Sequence, residues 1–223
     1  EFCQSIDRSG FAATFQIHRQ FVMNLRQKSE HPTLLDGPAF KQDTVLAEMN
    51  DQNRKMTLRD ASVYRLELAF IFNDTECMAA MLETLSGYPF EDQVISRFYI
   101  RACFMGLASF SLVKKNHVIG NQCLKYFRRM KKLGSTNAPP AYFFIAALKR
   151  PTTKAFTTAI DSCHEASMPH LEAMARERFA MFLLTQNESE LANSQITSAY
   201  WLYYDWGAHG KSLAMTRDYP FLK

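Results

Sequence analysis

Residues 169–207 read PHLEAMARERFAMFLLTQNESELANSQITSAYWLYYDWG, two helical patterns set end to end. Pro169 suits the first turn of a helix, where its missing N–H leaves no hydrogen bond unmade. Leu171, Met174, Ala175, Phe179 and Phe182 then recur at intervals of three and four residues, which gathers them on one face. Asn187, with Glu190 three residues on, reads as an N-cap and capping box opening a second helix. Leu191, Ala192, Ile196, Ala199, Tyr200 and Tyr203 form its inward stripe, and Gly207 supplies a C-terminal stop. One short helix fits between that stop and Pro220.

The same periodicity runs upstream. Tyr64, Leu68, Ile71 and Phe72 mark one stripe and Met78, Met81, Leu82 and Leu85 another, until Gly87-Tyr88-Pro89 breaks the chain. A helix is predicted from about Asp92 to Val113, with Ile95, Phe98, Ala102, Met105 and Leu112 inward. Residues 116–120 read as a turn or loose helix start. The next helix runs to Leu133 on Leu124, Phe127 and Met130, ends at Gly134-Ser135-Thr136-Asn137, and the chain restarts at Pro139-Pro140. The first sixty residues are less regular: Phe11 to Arg26 is helix-like, and His31 to Phe40, with two prolines and a glycine, is a loop. About ten helices result, with no strand. Helices joined by short turns pack as antiparallel pairs, in an α-solenoid or a bundle.

Composition agrees. Glycine and proline number 8 each in 223 residues, well below the roughly 12% usual for the pair, which excludes collagen-like, disordered and turn-rich all-β chains. The longest uncharged apolar run, Ala102 to Val113, is 12 residues, against the roughly 20 a membrane span needs, so it is a buried helix. The five cysteines stand far apart with no C-x-x-C pair, which disfavours zinc ribbons and thioredoxin-type sites and fits core thiols in a reducing, cytoplasmic setting. The chain begins at Glu1 rather than Met, so it reads as an excerpt of a longer polypeptide, with Glu1-Phe2 a cloning remnant.

Charge is distributed unevenly. The net +4 conceals ten Lys or Arg and no Asp or Glu between Lys114 and Lys154, which leaves the rest of the chain acidic. Lys125, Arg128, Arg129 and Lys132 share one helix face, with Phe127 and Met130 on the other. Such a stripe fits an acidic protein segment, nucleic-acid phosphates or anionic lipid, with Tyr126 and Tyr142 as candidate stacking rings. The alternative is a solvated face opposite acidic neighbours in the same protein.

Other candidates carry less. Gly210-Lys211-Ser212 matches the end of a P-loop, but Asp205 stands where the pattern needs glycine, and a helix end precedes it in place of a strand. Lys211 is therefore expected as an exposed residue in the first turn of the last helix. His18, His31, His117, His164, His170 and His209 show no i, i+4 metal spacing, and no G-x-S-x-G elbow is present. Tyr200-Trp201, Tyr203-Tyr204 and Trp206 are expected to fill grooves between helices, or to line a peptide groove.

Glu172-Ala-Met-Ala-Arg-Glu-Arg-Phe-Ala-Met-Phe-Leu183, then Leu191-Ala192, Tyr200, Tyr204-Asp-Trp-Gly-Ala208, Lys211 and Tyr219-Pro220, resembles the tetratricopeptide-like helical region of large multidomain signalling kinases. Those proteins couple a protein-kinase-like domain and an AAA-type ATPase domain to GAF or PAS sensors and often a histidine kinase. A similar region occurs in some nucleotide cyclases and ATPase-type regulators. Trp206, Gly207, Ala208, Tyr219 and Pro220 are the most specific part. Leu34-Leu35-Asp36-Gly37, Tyr64-Arg-Leu-Glu-Leu68 with Phe72-Asn-Asp74, and Phe98-Tyr99 extend the likeness over nearly the whole chain.

The resemblance implies one all-α, tetratricopeptide-like α-solenoid domain over residues 1–223, with 1–55 its less regular part. It implies a non-catalytic regulatory or scaffold module in signal transduction, without cofactor or metal, contacting a protein partner or other domains of its own polypeptide. No Gly-rich phosphate loop, H-R-D or D-F-G occurs in the chain. Two alternatives remain at this stage: a basic helical nucleic-acid-binding protein, and a helical enzyme whose site is assembled from distant residues.

Overall fold

The computed structural model describes residues 8–27, 29–47, 49–90 and 95–222. Among these there is no strand, and the chain forms eleven α-helices: α1 (Arg8–Arg26), α2 (Gln42–Ala47), α3 (Asp51–Phe72), α4 (Thr75–Ser86), α5 (Ile95–Ser111), α6 (His117–Lys132), α7 (Ala138–Lys149), α8 (Thr153–Glu165), α9 (Pro169–Thr185), α10 (Ser189–Asp205) and α11 (His209–Asp218). A 3-10 turn, Pro220–Leu222, follows α11. The fold is all-α.

Four of the ten connections between helices are made by one kind of turn. α3, α8, α9 and α10 each end on a residue with positive φ: Asn73 (60°), Ser167 (53°), Asn187 (63°) and Gly207 (89°). At Asn187 the N–H reaches Leu184 O (3.2 Å) and the next N–H, of Glu188, reaches Leu183 O (3.1 Å), a Schellman closure. Ser167 with Met168 and Gly207 with Ala208 close in the same way. The residue after the positive-φ position is already the N-cap of the next helix: Asp74, Met168, Glu188 and Ala208. The left-handed residue and the N-cap, two residues, therefore make each reversal, preceded by one C-cap residue in the last three, which stand twenty residues apart.

This corrects the expected role of Asn187. Its left-handed backbone terminates α9, and Glu188 caps α10 without a side-chain bond. Asparagine serves both as N-cap and as a left-handed C-terminal residue, and here the second role prevails. Elsewhere side-chain caps do form: Asp74 accepts from Cys77 N (2.9 Å), Asn116 from Ile119 N (3.1 Å) and Thr152 from Ala155 N (3.1 Å). Pro139 and Pro140 lie in the first turn of α7, where no N–H is needed. α5 stops at Ser111, leaving Val113 outside the helix and fully exposed; its expected start at 92–94 falls outside the described residues.

Each helix from α3 onward packs on its successor, and α3 with α5 and α5 with α7 also touch as alternate neighbours. Phe70 of α3 marks where those alternates meet, its ring edge-on to Phe104 of α5 (6.1 Å) and Phe144 of α7 (5.9 Å). The buried apolar residues form one contiguous cluster from Ile17 on α1 to Met215 on α11. α11 packs on α1 and α3 as well as on α10, so the two ends of the sequence meet. No described helix is long and apolar enough to cross a membrane.

Loops are held by buried polar side chains. Asn24 Nδ2 donates to Pro32 O (2.9 Å) and Leu34 O (2.7 Å), and Gln20 Oε1 accepts from Ala39 N (3.0 Å), pinning the predicted 31–40 loop to α1. Arg101, 1% exposed, donates to Leu85 O (2.9 Å), Tyr88 O (2.9 Å) and Pro89 O (3.1 Å), so its guanidinium caps α4 at the predicted break.

Candidate functional site

α6 is amphipathic in the simplest sense: Ile119, Cys123, Leu124 and Phe127 are buried, while Lys125, Arg128, Arg129 and Lys132 are exposed along the opposite face. Arg129, Lys131 and Lys132 occupy its last turn, where cations interact favourably with the negative end of the helix. Lys149 of α7 extends the basic surface by donating to Asn121 Oδ1 (2.6 Å), and Lys115 donates to Leu148 O (3.2 Å). Among the described residues no carboxylate forms an ion pair with any of the ten cations between Lys114 and Lys154. No direct pairing with the acidic remainder is thus seen among the described residues.

The ridge also differs from a stacking platform. Lys131 Nζ sits 4.3 Å from the Phe143 ring centre and 5.3 Å from that of Tyr142, and the Arg128 guanidinium lies 5.9 Å from Tyr142. Tyr126 is packed edge-on against Phe98 (4.7 Å) and Phe127 (5.0 Å). The two tyrosines expected to stack bases thus already hold cations or core rings.

The C-terminal motif residues assemble a different feature. Trp206 stacks on His170 (5.3 Å), Gly207 supplies the left-handed turn, Ala208 is 1% exposed, and Tyr219 and Pro220 close the end of α11. Beneath them Glu177, 3% exposed, accepts three hydrogen bonds: from Lys211 Nζ (2.7 Å), Asn73 Nδ2 (2.9 Å) and Tyr203 Oη (3.1 Å). Next to it Arg178 donates to Phe70 O (2.7 Å) and to Asn73 Oδ1, with its guanidinium 4.3 Å from the Phe70 ring centre. Burial pulls the Lys211 ammonium below its ordinary range even with Glu177 beside it, and drives the Tyr203 phenol well above its own. These groups are spent on one another, tying α9 and α11 to the end of α3.

Lys211 is thus 2% exposed, where an exposed position was expected. The cause is Glu177, a partner 34 residues away that local amphipathicity does not reveal. Gly210 is explained by contact: a Cβ there would lie 2.4 Å from Gln27 O and 2.8 Å from Leu25 O, so only glycine lets α11 meet the end of α1. Ser212 Oγ donates to Ala208 O (3.3 Å). The Gly-Lys-Ser string is a packing device.

The other candidates resolve individually. His164 Nδ1 lies 3.2 Å from Glu172 Oε2, and Arg176 donates to Glu172 Oε1 (2.9 and 2.8 Å) and to Gln195 Oε1 (2.9 Å), linking α8, α9 and α10. Among the described residues no three His, Cys, Asp or Glu gather as a metal site. Cys103, Cys123 and Cys163 are buried free thiols, each pushed far up by burial, the latter two to about 12. Of the aromatic cluster Tyr203 is fully buried, but Trp201 and Tyr204 stand 54% and 45% exposed, and Leu191, expected inward, is 42% exposed.

Sequence reading missed Asn73, Glu177 and Arg178 as a polar hub, although Glu177 and Arg178 lie within the motif segment. Burying charge on a core-facing position of α9 was the available signal. Comparison with protein-family models, with characterised proteins and with solved structures finds no match for this chain.

Proposed function

We propose that this chain is a non-catalytic scaffold module, a tetratricopeptide-like stack of helix pairs that holds an acidic segment of a protein partner, or of a neighbouring domain, on the α6 ridge. Placement between the ATPase and the sensor or kinase domains of a signalling protein follows from the resemblance of the C-terminal motif. The observation that carries the binding reading is the exposed row Lys125, Arg128, Arg129 and Lys132, without a carboxylate partner among the described residues. Support for the stacked-pair reading comes from the two-residue reversals and from contacts between successive and alternate helices.

The second reading, nucleic acid, rests on the same cations. The covered faces of Tyr142 and Phe143 disfavour single strands, whose bases need open rings. Fluorescence anisotropy with a labelled oligo-glutamate peptide, duplex DNA and single-stranded RNA separates the two. Peptide binding abolished by K125E/R128E/R129E/K132E supports the scaffold reading. Tighter duplex binding, with a log–log salt slope near −0.9 per phosphate contacted, replaces it with the second. Absence of both at low salt removes the ridge as a binding surface.

A further inference from the structure

Where α1 meets the α10–α11 turn the surface opens into a cleft of about 640 Å³, lined by Arg19, Val22, Arg26 and His209 among others. It continues past Val22 and Arg26 into a recess of about 320 Å³ with Trp206 on its wall. Among the described residues no Asp or Glu lines either part. Arg19 and Arg26 are exposed, and neither makes a hydrogen bond or ion pair among the described residues. They stand two helical turns apart on one side of α1, about 10.5 Å along its axis.

Between and beside them the same face is apolar. Val22 is 46% exposed and Phe15, one turn before Arg19, is 72% exposed. The outward side of α1 therefore reads Phe15, Arg19, Val22, Arg26, apolar and basic by turns. The opposite wall is set in advance: Trp206 is stacked on His170 (5.3 Å), and His209 packs against Tyr204 (4.8 Å).

We propose that this cleft docks an acidic amphipathic segment of a partner protein, its apolar side chains seated on Phe15 and Val22 and in the Trp206 recess, its carboxylates paired with Arg19 and Arg26. Charge complementarity selects the class: among the described residues the surface has two guanidinium groups without an ion-pair partner, each suited to bidentate carboxylate pairing, and no anion. A nucleic-acid duplex brings charge at every step and, with its bases stacked inside, nothing to bury on the exposed Phe15 and Val22. A carboxylate-bearing amphipathic segment satisfies both features. The site is separate from the α6 ridge and does not rest on it, because α6 packs on α5 and α7 whereas α1 packs on α3 and α11.

Selection of a random peptide library displayed on phage against the intact chain, followed by anisotropy of the selected peptide carrying fluorescein, tests the proposal. The expected consensus has two acidic residues bracketing apolar ones, and affinity falls at least tenfold in R19E/R26E. It is unchanged in K125E/R128E/R129E/K132E, and tryptophan emission shifts on binding in the native chain but not in W206F. R19Q/R26Q, which removes the charge without reversing it, weakens binding in the same direction and stands in if the reversed variant fails to fold. A consensus without acidic residues, no selected consensus, undiminished affinity in both arginine variants, or loss only in the α6 variant overturns the proposal. Equal binding of the native chain to anionic vesicles through Arg19 and Arg26 overturns it in favour of a lipid surface.

Discussion

Lys211 Nζ lies 2.7 Å from Glu177 Oε1, and both side chains are almost sealed from water, at 2% and 3% exposure. Removing one partner of such a pair leaves an uncompensated buried charge. Lys211→Met is expected to cost about 3–5 kcal/mol of stability, the usual range for breaking a buried pair. The double variant E177Q/K211M recovers part of that loss, because no bare charge remains. Thermal or urea unfolding of the three proteins checks both statements, and a single Lys211→Met change that leaves the midpoint unmoved contradicts them.

Gly210 governs how the ends of the chain join. Its would-be Cβ meets backbone, Gln27 O at 2.4 Å and Leu25 O at 2.8 Å, and backbone cannot rotate aside as a side chain can. Gly210→Ala should therefore displace α1 from α11 rather than disturb α11 itself. Hydrogen exchange should rise along α1 while α8 to α10 keep their protection. Uniform loss of protection would show that the contact governs the whole fold.

The contrast between these two neighbours shows how far sequence reading reaches. Helices α9 to α11 are legible because apolar spacing and short turns are local properties, and Pro169 and Gly207 stand where local rules put them. The same locality produces the errors. Asn187 satisfies both the N-cap rule and the left-handed rule, and only the hydrogen bonds from Asn187 and Glu188 back into α9 separate them. Lys211 looks like a solvent residue until Glu177 arrives from another helix, and the Arg19–Arg26 cleft exists only because α1 closes on α11. The α6 ridge was visible in charge counting, whereas its lack of internal carboxylate partners is a tertiary fact.

Thiol reactivity should follow burial. Cys77 is only partly buried, and Arg65 Nη2, 4.0 Å from its sulfur, offsets part of the rise that burial gives its thiol, while Cys103, Cys123 and Cys163 are buried and held protonated by desolvation. In a C3S background, DTNB at neutral pH should titrate one thiol, Cys77, in the native protein and four after unfolding in denaturant. Rapid modification of more than one thiol without denaturant would contradict the packing of α5, α6 and α8.

Glu67 makes stability depend on pH. It is buried on α3, no hydrogen bond or ion pair satisfies it among the described residues, and desolvation raises its carboxyl to about 8. The folded chain thus keeps a proton that the unfolded chain releases near its ordinary value of 4.5. Between those values the native state binds more protons, so stability falls as pH rises, by about 1.4 kcal/mol per pH unit from this group. The contribution is whole below pH 4.5 and gone once pH passes about 8. Glu67→Gln keeps the shape without the titration, so it should match the native chain in acid and exceed it in stability at pH 8 and above. Urea midpoints across that range decide the matter: parallel curves for the two proteins would mean that Glu67 is charged in the fold, which its burial on α3 opposes.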